Sequence, residues 1–297
     1  MSRMLGSVML MAALFLVATA IPSHAEQPCV LKSQASVDIE TTQNGDVTIP
    51  VSISGTPFRM LVDTGAYSSV LTEGTVEKLG MQPIQNGVGY LVMFGGQKLD
   101  SHVTVSDFKV GRMNDSRASF MVMPDALLDP GVAGLFGTDF VYFFDLDFDF
   151  ANAKLNFISP EHCKGQVVYW THEAYATIPF DLKRRHISID TTLDGKKVSA
   201  IVDTGTTESI LNLETAVELF GVDREAAKKS DYRYPFKLLS FGGVNVMNPA
   251  IHLVSGDASA AIRHEQKMIL GMDALRQLHL YIAYHEGNIY VTSASAH

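Results

Sequence analysis

The hydrophobic and polar positions of this chain form the same series twice, once in residues 47–158 and again in residues 177–295. Each series opens on a segment with apolar residues at every second position, which predicts a strand with one buried face. The alternating positions are Val47, Ile49, Val51 and Ile53 in the first series and Ile187, Ile189, Thr191 and Leu193 in the second. A glycine-containing turn and a short apolar strand follow each time. The pattern therefore predicts two similar β units in one polypeptide.

Both apolar strands run into the same triplet, Asp63-Thr64-Gly65 in the first half and Asp203-Thr204-Gly205 in the second. A second apolar strand and a short helix are predicted after each triplet. The other paired landmarks are the N-caps Thr72 and Asn212, the helix stops Gly80 and Gly221, the hairpin turns Phe94-Gly95-Gly96 and Phe241-Gly242-Gly243, and the segments Leu135-Phe136-Gly137-Thr138-Asp139 and Ile269-Leu270-Gly271-Met272-Asp273. Short strands, many turns and little helix favour closed or sandwich-like β lobes.

The N-terminal segment, 1–25, is typical of a secretory signal peptide. Arg3 precedes an apolar run over residues 8–21, Pro22 breaks it, and Ser23-His24-Ala25 offers small residues to a signal peptidase. We expect cleavage near Ala25 and a periplasmic or secreted protein without membrane contact; an uncleaved N-terminal anchor is the alternative. The mature chain then divides into an N-terminal lobe (26–158), an interlobe connection (159–174) and a C-terminal lobe (175–297).

Composition and charge limit the classes of molecule that this protein is expected to bind. The chain has 297 residues, 46% of them hydrophobic, and a formal net charge of -9. It can bury a substantial core, and its acidity argues against binding nucleic acid or anionic lipid. The ten histidines follow no metal-binding pattern, so we expect no metal and no cofactor.

The two cysteines, Cys29 and Cys163, are an even number in a protein expected to be exported. This context favours a disulfide between the mature N-terminus and the interlobe connection. In the chain-entropy model, closing so long a loop contributes roughly 4–5 kcal/mol. Two free buried thiols are the alternative.

Two charged segments have plain structural interpretations. Asp145, Asp147 and Asp149 have the spacing of a calcium loop, but apolar residues alternate with them and the glycine and distal glutamate of such a loop are missing. We interpret them as a strand with one solvated face. The run Lys183-Arg184-Arg185 is interpreted as a solvated turn.

The paired triplets and the apolar pair plus glycine in each half resemble the aspartic protease superfamily over essentially the whole mature chain. The loop Asp63-Thr64-Gly65-Ala66 is similar to the retroviral type, and two lobes in one chain are similar to the pepsin type. The resemblance is to a bacterial, exported, retropepsin-like aspartyl protease with both half-sites in one polypeptide. It implies an all-β fold of two β-barrel-like lobes related by a pseudo-two-fold axis, with the active site between them.

The resemblance also implies roles for the triplet residues. Asp63 and Asp203 would form the catalytic dyad, two neighbouring carboxyl groups that share a proton. Thr64 and Thr204 would link the two loops by hydrogen bonds between lobes. Gly65 and Gly205 would let the backbone pass close to the dyad.

The Phe-Gly-Gly turns would form flaps over the substrate. In the first lobe this flap comprises Phe94, Gly95 and Gly96, with Tyr90 as the nearest candidate for the tyrosine of pepsin-type flaps. In the second lobe Phe241, Gly242 and Gly243 suggest a flap-like hairpin on both sides, which is closer to the retroviral arrangement.

The function implied is that of an aspartic endopeptidase, in which the dyad activates a water molecule to hydrolyse a peptide or unfolded-protein substrate. A monomer is expected because one chain holds both half-sites. Thr206 follows the second triplet at the position that Ala66 has after the first. Its hydroxyl can donate to the neighbouring carboxylate and favour the charged form, so we expect Asp203 to be the more readily ionised acid. The alternatives are a non-catalytic peptide-binding module with this fold and a processing protease with one target.

Overall fold

The computed structural model describes residues 29–87, 89–93, 96–227, 233–255 and 267–295. The predicted signal peptide, residues 1–25, lies outside the described residues, as do Phe94 and Gly95 of the predicted flap.

Strands dominate both halves of the chain. The strands of the first half are β1 (Ser33–Asp38), β2 (Glu40–Thr41), β3 (Val47–Ile53), β4 (Thr56–Val62), β5 (Val70–Thr72), β6 (Ile84–Gln85), β7 (Leu91–Val92), β8 (Lys98–Leu99), β9 (Ser101–Val105), β10 (Phe108–Val110), β11 (Met113–Asp115), β12 (Ala118–Met123), β13 (Val132–Phe136), β14 (Asp145–Asp149) and β15 (Lys154–Ile158). Those of the second half are β16 (Ala176–Pro179), β17 (Asp181–Lys183), β18 (His186–Leu193), β19 (Lys196–Val202), β20 (Ser209–Asn212), β21 (Leu238–Phe241), β22 (Val244–Met247), β23 (Ile251–Val254), β24 (Met268–Leu270), β25 (Leu278–Ala283) and β26 (Asn288–Ser293).

The helices are short. They are α1 (Glu73–Lys78), α2 (Thr138–Val141), α3 (Leu213–Phe220), α4 (Arg224–Ala227), α5 (Met272–Leu275) and a 3-10 helix at Asp125–Leu127. The predicted N-caps are confirmed, because the Thr75 N–H donates to the Thr72 hydroxyl and the Thr215 N–H donates to the Asn212 side chain. No helix in the described part of the chain is long and apolar enough to cross a membrane.

The two lobes have the same strand order. The first-lobe sheet runs β11-β10-β3-β4-β13-β5-β12 and continues into β9 and β6; the second-lobe sheet runs β22-β21-β18-β19-β24-β20-β23. The registers correspond as well, since Thr48 pairs with Leu61 and Ser188 pairs with Ile201. These pairs keep the same spacing from the two triplets, so the halves superimpose in sequence with Asp63 aligned on Asp203. This confirms the predicted all-β, two-lobed fold.

A six-stranded sheet joins the lobes, with the strand order β1-β15-β14-β25-β26-β16. Its central pair is antiparallel and brings together one strand from each half, with Leu146 opposite Ile282 and Phe148 opposite Leu280. All four of these side chains are buried. We call this the shared sheet; because its apolar side chains belong to one core cluster with those of both lobes, it fixes the lobes relative to each other.

The solvated face expected for Asp145 and Asp147 is wrong. These side chains are 1% and 0% exposed. Asp147 accepts hydrogen bonds from Asn156 at 2.9 Å and from the Tyr169 hydroxyl, and its other oxygen lies 2.6 Å from Nε2 of His279. Both oxygens of Asp147 thus have partners within the protein, whereas Oδ1 of Asp145 is buried without a hydrogen-bond partner among the described residues. Burial of both side chains does not fit a calcium-loop role.

The connection over residues 159–174 is what covers this face. The Trp170 ring stacks on His279 with 4.1 Å between ring centroids, and Nε2 of His162 lies 2.5 Å from Asp145. Cys163, in the same segment, forms the predicted disulfide with Cys29, whose Cα is 5.5 Å away. Sequence alternation alone did not show this, because the covering residues come from a separate part of the chain.

The buried face yields a stability prediction. Replacing Asp147 by Ala leaves the Asn156 amide, the Tyr169 hydroxyl and His279 without their acceptor, and we expect a loss of about 3–5 kcal/mol in the free energy of unfolding. Urea unfolding with the disulfide intact measures it. Asp147→Asn keeps one acceptor oxygen, so its free energy of unfolding should lie between those of the wild type and Asp147→Ala. Asp190→Ala, at an exposed strand position, is the control and should change stability by less than about 0.5 kcal/mol. Equal midpoints for Asp147→Ala and the control would contradict the prediction.

Candidate active site

Two strands deliver the paired aspartates to the same place. β4 ends one residue before Asp63 and β19 ends one residue before Asp203. Each strand is parallel to the apolar strand of the second landmark, β13 or β24. The Asp63 N–H donates to the Phe136 carbonyl at 3.0 Å, and the Asp203 N–H donates to the Leu270 carbonyl at 3.1 Å. The apolar pair of each half therefore holds the start of its loop.

Thr64 and Thr204 join the two loops through four buried hydrogen bonds. The Thr64 N–H donates to the Thr204 hydroxyl at 3.1 Å, and the Thr204 N–H donates to the Thr64 hydroxyl at 3.0 Å. Each hydroxyl in turn donates to the opposite lobe, Thr64 to Val202 at 2.9 Å and Thr204 to Val62 at 2.7 Å. These are the interlobe bonds that the resemblance implied.

Gly65 and Gly205 lie where no larger residue fits. A Cβ on Gly65 would lie 2.2 Å from Oδ2 of Asp203, and a Cβ on Gly205 would lie 2.2 Å from Cγ of Asp63. Each glycine also donates its N–H to the aspartate two residues earlier in the chain, at 2.9 Å and 2.8 Å. The glycines therefore let each loop pass against the opposite carboxyl group while orienting its own.

The carboxyl groups of Asp63 and Asp203 lie within hydrogen-bonding contact of each other. Asp63 is 9% exposed, and Asp203 is partly buried, so the pair is deep but reachable by solvent. Burial and the facing Asp203 carboxylate raise the pKa of Asp63 well above its usual range. Burial also raises the pKa of Asp203, but the Gly205 N–H, the Asp63 proton and the His186 ring oppose that shift. The arrangement can hold one shared proton.

The hydroxyl of Thr206 has a different role from the one expected. It donates to the Glu208 backbone carbonyl at 3.2 Å, within its own turn, and so is committed away from the dyad. The titratable neighbour of Asp203 is instead His186, the first residue of β18, whose own pKa is lowered mainly by burial. The His186 ring also lies beside the Gly65 backbone carbonyl, and its Nδ1 is buried without a hydrogen-bond partner among the described residues. The role expected for the Thr206 hydroxyl in making Asp203 the more readily ionised acid is therefore wrong.

A second pair of aspartates fixes the strands that follow the loops. Asp139 accepts from the Ser69 N–H at 2.9 Å and from its hydroxyl at 2.6 Å, and Asp273 accepts from the Ser209 hydroxyl at 2.6 Å. The two serine hydroxyls accept in turn from the N–H groups of the landmark glycines. Asp139 lies in α2 and Asp273 in α5, so each aspartate ties the segment after its loop to the short helix that follows the landmark glycine.

The flap predicted for the first lobe falls on a hairpin of β7 and β8. Its turn is closed by a hydrogen bond of 3.0 Å from the Gly96 N–H to the Met93 carbonyl. Leu91 and Met93 pack in the same small apolar cluster as Ala66, which directly follows the first triplet, so the hairpin adjoins the catalytic loop. Tyr90, at its base, is 59% exposed and its ring lies under the Lys98 ammonium group.

The second Phe-Gly-Gly forms a hairpin turn but does not lie over the dyad. Gly242 and Gly243 connect β21 to β22, and a Cβ on Gly242 would lie 2.3 Å from the Ile178 side chain in the shared sheet. Phe241 is 3% exposed in the core. A hairpin whose turn packs against the shared sheet cannot close over the dyad, so its assignment as a flap is corrected. Its counterpart in the first lobe is the β10–β11 hairpin, as the strand orders show.

Three residues near the dyad were missed by the sequence analysis. They are His186, Tyr67, which follows the first triplet loop and is 48% exposed, and Arg185, whose guanidinium lies 4.7 Å from the centre of the Tyr67 ring. The internal repeat could have pointed to Arg185 and His186. The turn that precedes β18 aligns with the turn that precedes β3, so both turns are expected at the same place relative to the Asp-Thr-Gly loops. Within the described residues, no group of three or more His, Cys, Asp or Glu is arranged to hold a metal ion.

The interlobe hydrogen bonds yield a prediction at Thr204. Valine has nearly the same shape as threonine but leaves the Thr64 N–H and the Val62 carbonyl buried and unpaired, so Thr204→Val should lower the free energy of unfolding by about 2–4 kcal/mol. Thr204→Ser, the matched control, keeps the hydroxyl and should cost about 1 kcal/mol. Denaturant titration of both variants measures the difference. Equal stabilities would show that the methyl group, not the hydroxyl, matters here.

Comparison with known protein families agrees with this geometry. Residues 49–140 match the family model described as "Aspartyl protease". The match runs from β3 into α2 and so includes Asp63 and the first loop. A search of curated proteins found no match. Together with the two-lobed β fold, the family match over residues 49–140 supports the resemblance to aspartyl proteases of the pepsin- and retropepsin-like superfamily.

Proposed function

We propose that the protein is an aspartic endopeptidase that hydrolyses peptide bonds with a water molecule activated between Asp63 and Asp203. The observation that carries this proposal is the contact between the two carboxyl groups at the junction of the lobes, where solvent can reach them. Two like acids held together favour a state with one proton between them, which supplies an acid and a base at one point.

The proposed mechanism assigns one task to each acid. The Asp203 carboxylate takes a proton from water as its oxygen attacks the scissile carbonyl carbon, and the Asp63 proton passes to the carbonyl oxygen. The tetrahedral intermediate then collapses. Asp203 passes the proton that it took from water to the amide nitrogen, one hydroxyl of the intermediate returns a proton to Asp63, and the C–N bond breaks to leave a carboxylic acid and an amine. The division follows from the surroundings, since Asp63 has its pKa raised well above the usual range while His186 and Gly205 favour the charged form of Asp203.

The substrate we propose is a peptide or unfolded protein held in an extended form between the lobes. The exposed flap hairpin beside the first loop supports this, because an extended chain can add to strand edges through its backbone. We further propose that the protein acts as a monomer in the periplasm or outside the cell. The signal-like N-terminus and the disulfide support that location.

Removing either acid tests the proposal. Asp63→Asn and Asp203→Asn should each lower the rate of cleavage of casein or a peptide library by a factor on the order of 10³ or more, because the acid–base pair is lost. Both variants should be at least as stable as the wild type at neutral pH, since two acids buried together repel each other. Cleavage at several pH values, with and without a pepstatin-type inhibitor, measures the activity.

Two results would contradict the proposal. An Asn variant that cleaves as fast as the wild type would remove the residue from the mechanism. A folded wild-type protein that binds peptides without cutting them at any pH would favour a peptide-binding module.

His186 should shape the pH dependence. Protonated His186 lowers the pKa of Asp203, and activity is lost as pH falls through that pKa because Asp203 gains a proton. His186→Gln keeps a donor for the Gly65 carbonyl but removes the charge, so the acidic limb of the kcat/KM profile should move to higher pH. His172→Gln, on the exposed part of the interlobe connection, should leave the limb in place. A shift to lower pH, or an equal shift in both variants, would refute this role.

A further inference from the structure

An unusual hairpin turn lies beside the catalytic loops. β17 and β18 are joined by a two-residue turn of Arg184 and Arg185, with Lys183 opposite His186. Both arginines have left-handed backbone conformations, with φ of 54° and 67°. Residues with a Cβ seldom adopt this conformation, and two-residue turns of this type favour Asn-Gly or Asp-Gly. We call these two residues the basic turn.

The same chain uses glycine in its other turns of this geometry. Three further two-residue turns have φ > 0 at both positions, and each has glycine second. They are Ser54-Gly55, Asp194-Gly195 and Gly242-Gly243. An unfavourable backbone conformation at the rim of an active site indicates a functional reason for the side chains that occupy it.

The basic turn is held at the cleft between the lobes. Arg185 stacks on Tyr67, just beyond the first triplet, with 4.7 Å from the guanidinium carbon to the ring centroid. The next residue, His186, adjoins both Asp203 and the Gly65 carbonyl. The turn is therefore anchored to both halves of the dyad region by its own side chain and by its neighbour.

The guanidinium groups are free to bind a ligand. Both arginines are exposed, and within the described part of the chain neither forms an ion pair with a carboxylate. Stacking on an aromatic face orients a guanidinium while leaving its N–H edge available for bidentate contact with a carboxylate. The chain has a formal net charge of -9, so these two arginines place positive charge on a protein that is negative as a whole.

The equivalent turn of the first lobe carries no arginine of its own. With Asp63 aligned on Asp203, Asp46 corresponds to His186, Thr207 to Tyr67 and Gly45 to Arg185. Gly45 lies against the Arg276 guanidinium and the Thr207 side chain, and burial and the nearby Asp129 carboxylate raise the pKa of Asp46. The basic turn therefore has no counterpart with the same residues on the other side of the dyad.

We propose that Arg184 and Arg185 form a specificity subsite for an acidic side chain of the substrate, on one side of the scissile bond. The proposal rests on the endopeptidase function proposed above and adds a substrate class to it. Arg185, oriented by Tyr67, supplies the bidentate contact, and Arg184 adds charge beside it.

The test uses fluorogenic peptides with one cleavable bond, in which Glu, Gln or Lys occupies each of the four positions on either side. Wild-type protein should prefer Glu over Gln on one side only, by roughly two- to fivefold in kcat/KM, as expected for an exposed ion pair. The preference should weaken at high ionic strength.

Substitution of the turn separates charge from structure. The double variant Arg184→Asn with Arg185→Gly has the residues this turn geometry favours, so it should fold at least as stably and lose the preference for Glu, with cleavage of the Glu peptides reduced more than cleavage of the Gln peptides. Arg185→Glu should favour Lys at the same position. Lys196→Glu makes the same charge change at the far, exposed end of β18 and β19 and should keep the preference for Glu.

The outcomes separate this inference from the proposed function. Cleavage with equal Glu and Gln rates at every position, or a preference that survives in the Asn-Gly variant, overturns the subsite and leaves the endopeptidase intact. If no peptide is cut, the endopeptidase proposal fails, and binding of the same Glu and Gln peptides by fluorescence polarisation decides the subsite. Tighter binding of Glu peptides that is lost in the Asn-Gly variant supports it, and equal binding overturns it.

Discussion

The structure depends on holding two acidic side chains, Asp63 and Asp203, together in a place that disfavours the ionised form of both. Burial and mutual repulsion both disfavour ionisation of Asp63 and Asp203. Donors directed at the carboxyl oxygens offset part of that cost, and the paired hydroxyls of Thr64 and Thr204 prevent the loops from separating to relieve the rest. A site that could relax would lose the shared proton, so rigidity here is a condition of the proposed chemistry.

The frame that enforces this rigidity is nearly symmetric, but its surroundings are not. His186 adjoins Asp203, whereas the corresponding Asp46 faces Asp129. The described flap hairpin belongs to the first lobe, and the hairpin that was expected to match it is packed on the shared sheet. A reaction that needs one acid, one base and a substrate with a direction requires such differences, and they come from residues flanking the repeated core.

The shared sheet explains how two lobes act as one scaffold. Strands from the two halves meet at its centre, and the face that carries Asp145 and Asp147 is covered by the interlobe connection. The buried carboxylate of Asp147 contacts Tyr169 from that connection and His279 from the second half of the chain. A buried polar network that lacks one of its partners destabilises the folded protein. The interlobe connection, which supplies Tyr169 to this network, therefore contributes to the stability of the fold as well as linking the two lobes.

The sequence by itself determined the repeat, the two Asp-Thr-Gly loops, the helix caps and the all-β class, because strand alternation, turn residues and capping are local properties. Only the tertiary structure decided what surrounds each group. Asp147 has the same alternating pattern whether water or Trp170 and His279 cover its face, and Phe-Gly-Gly forms a hairpin turn wherever the hairpin is packed. Likewise, nothing adjacent to Asp203 in sequence identifies His186, which begins the preceding strand, as its titratable neighbour. Contacts between distant segments depend on how strands are ordered and sheets are packed, and that information lies in no single stretch of residues.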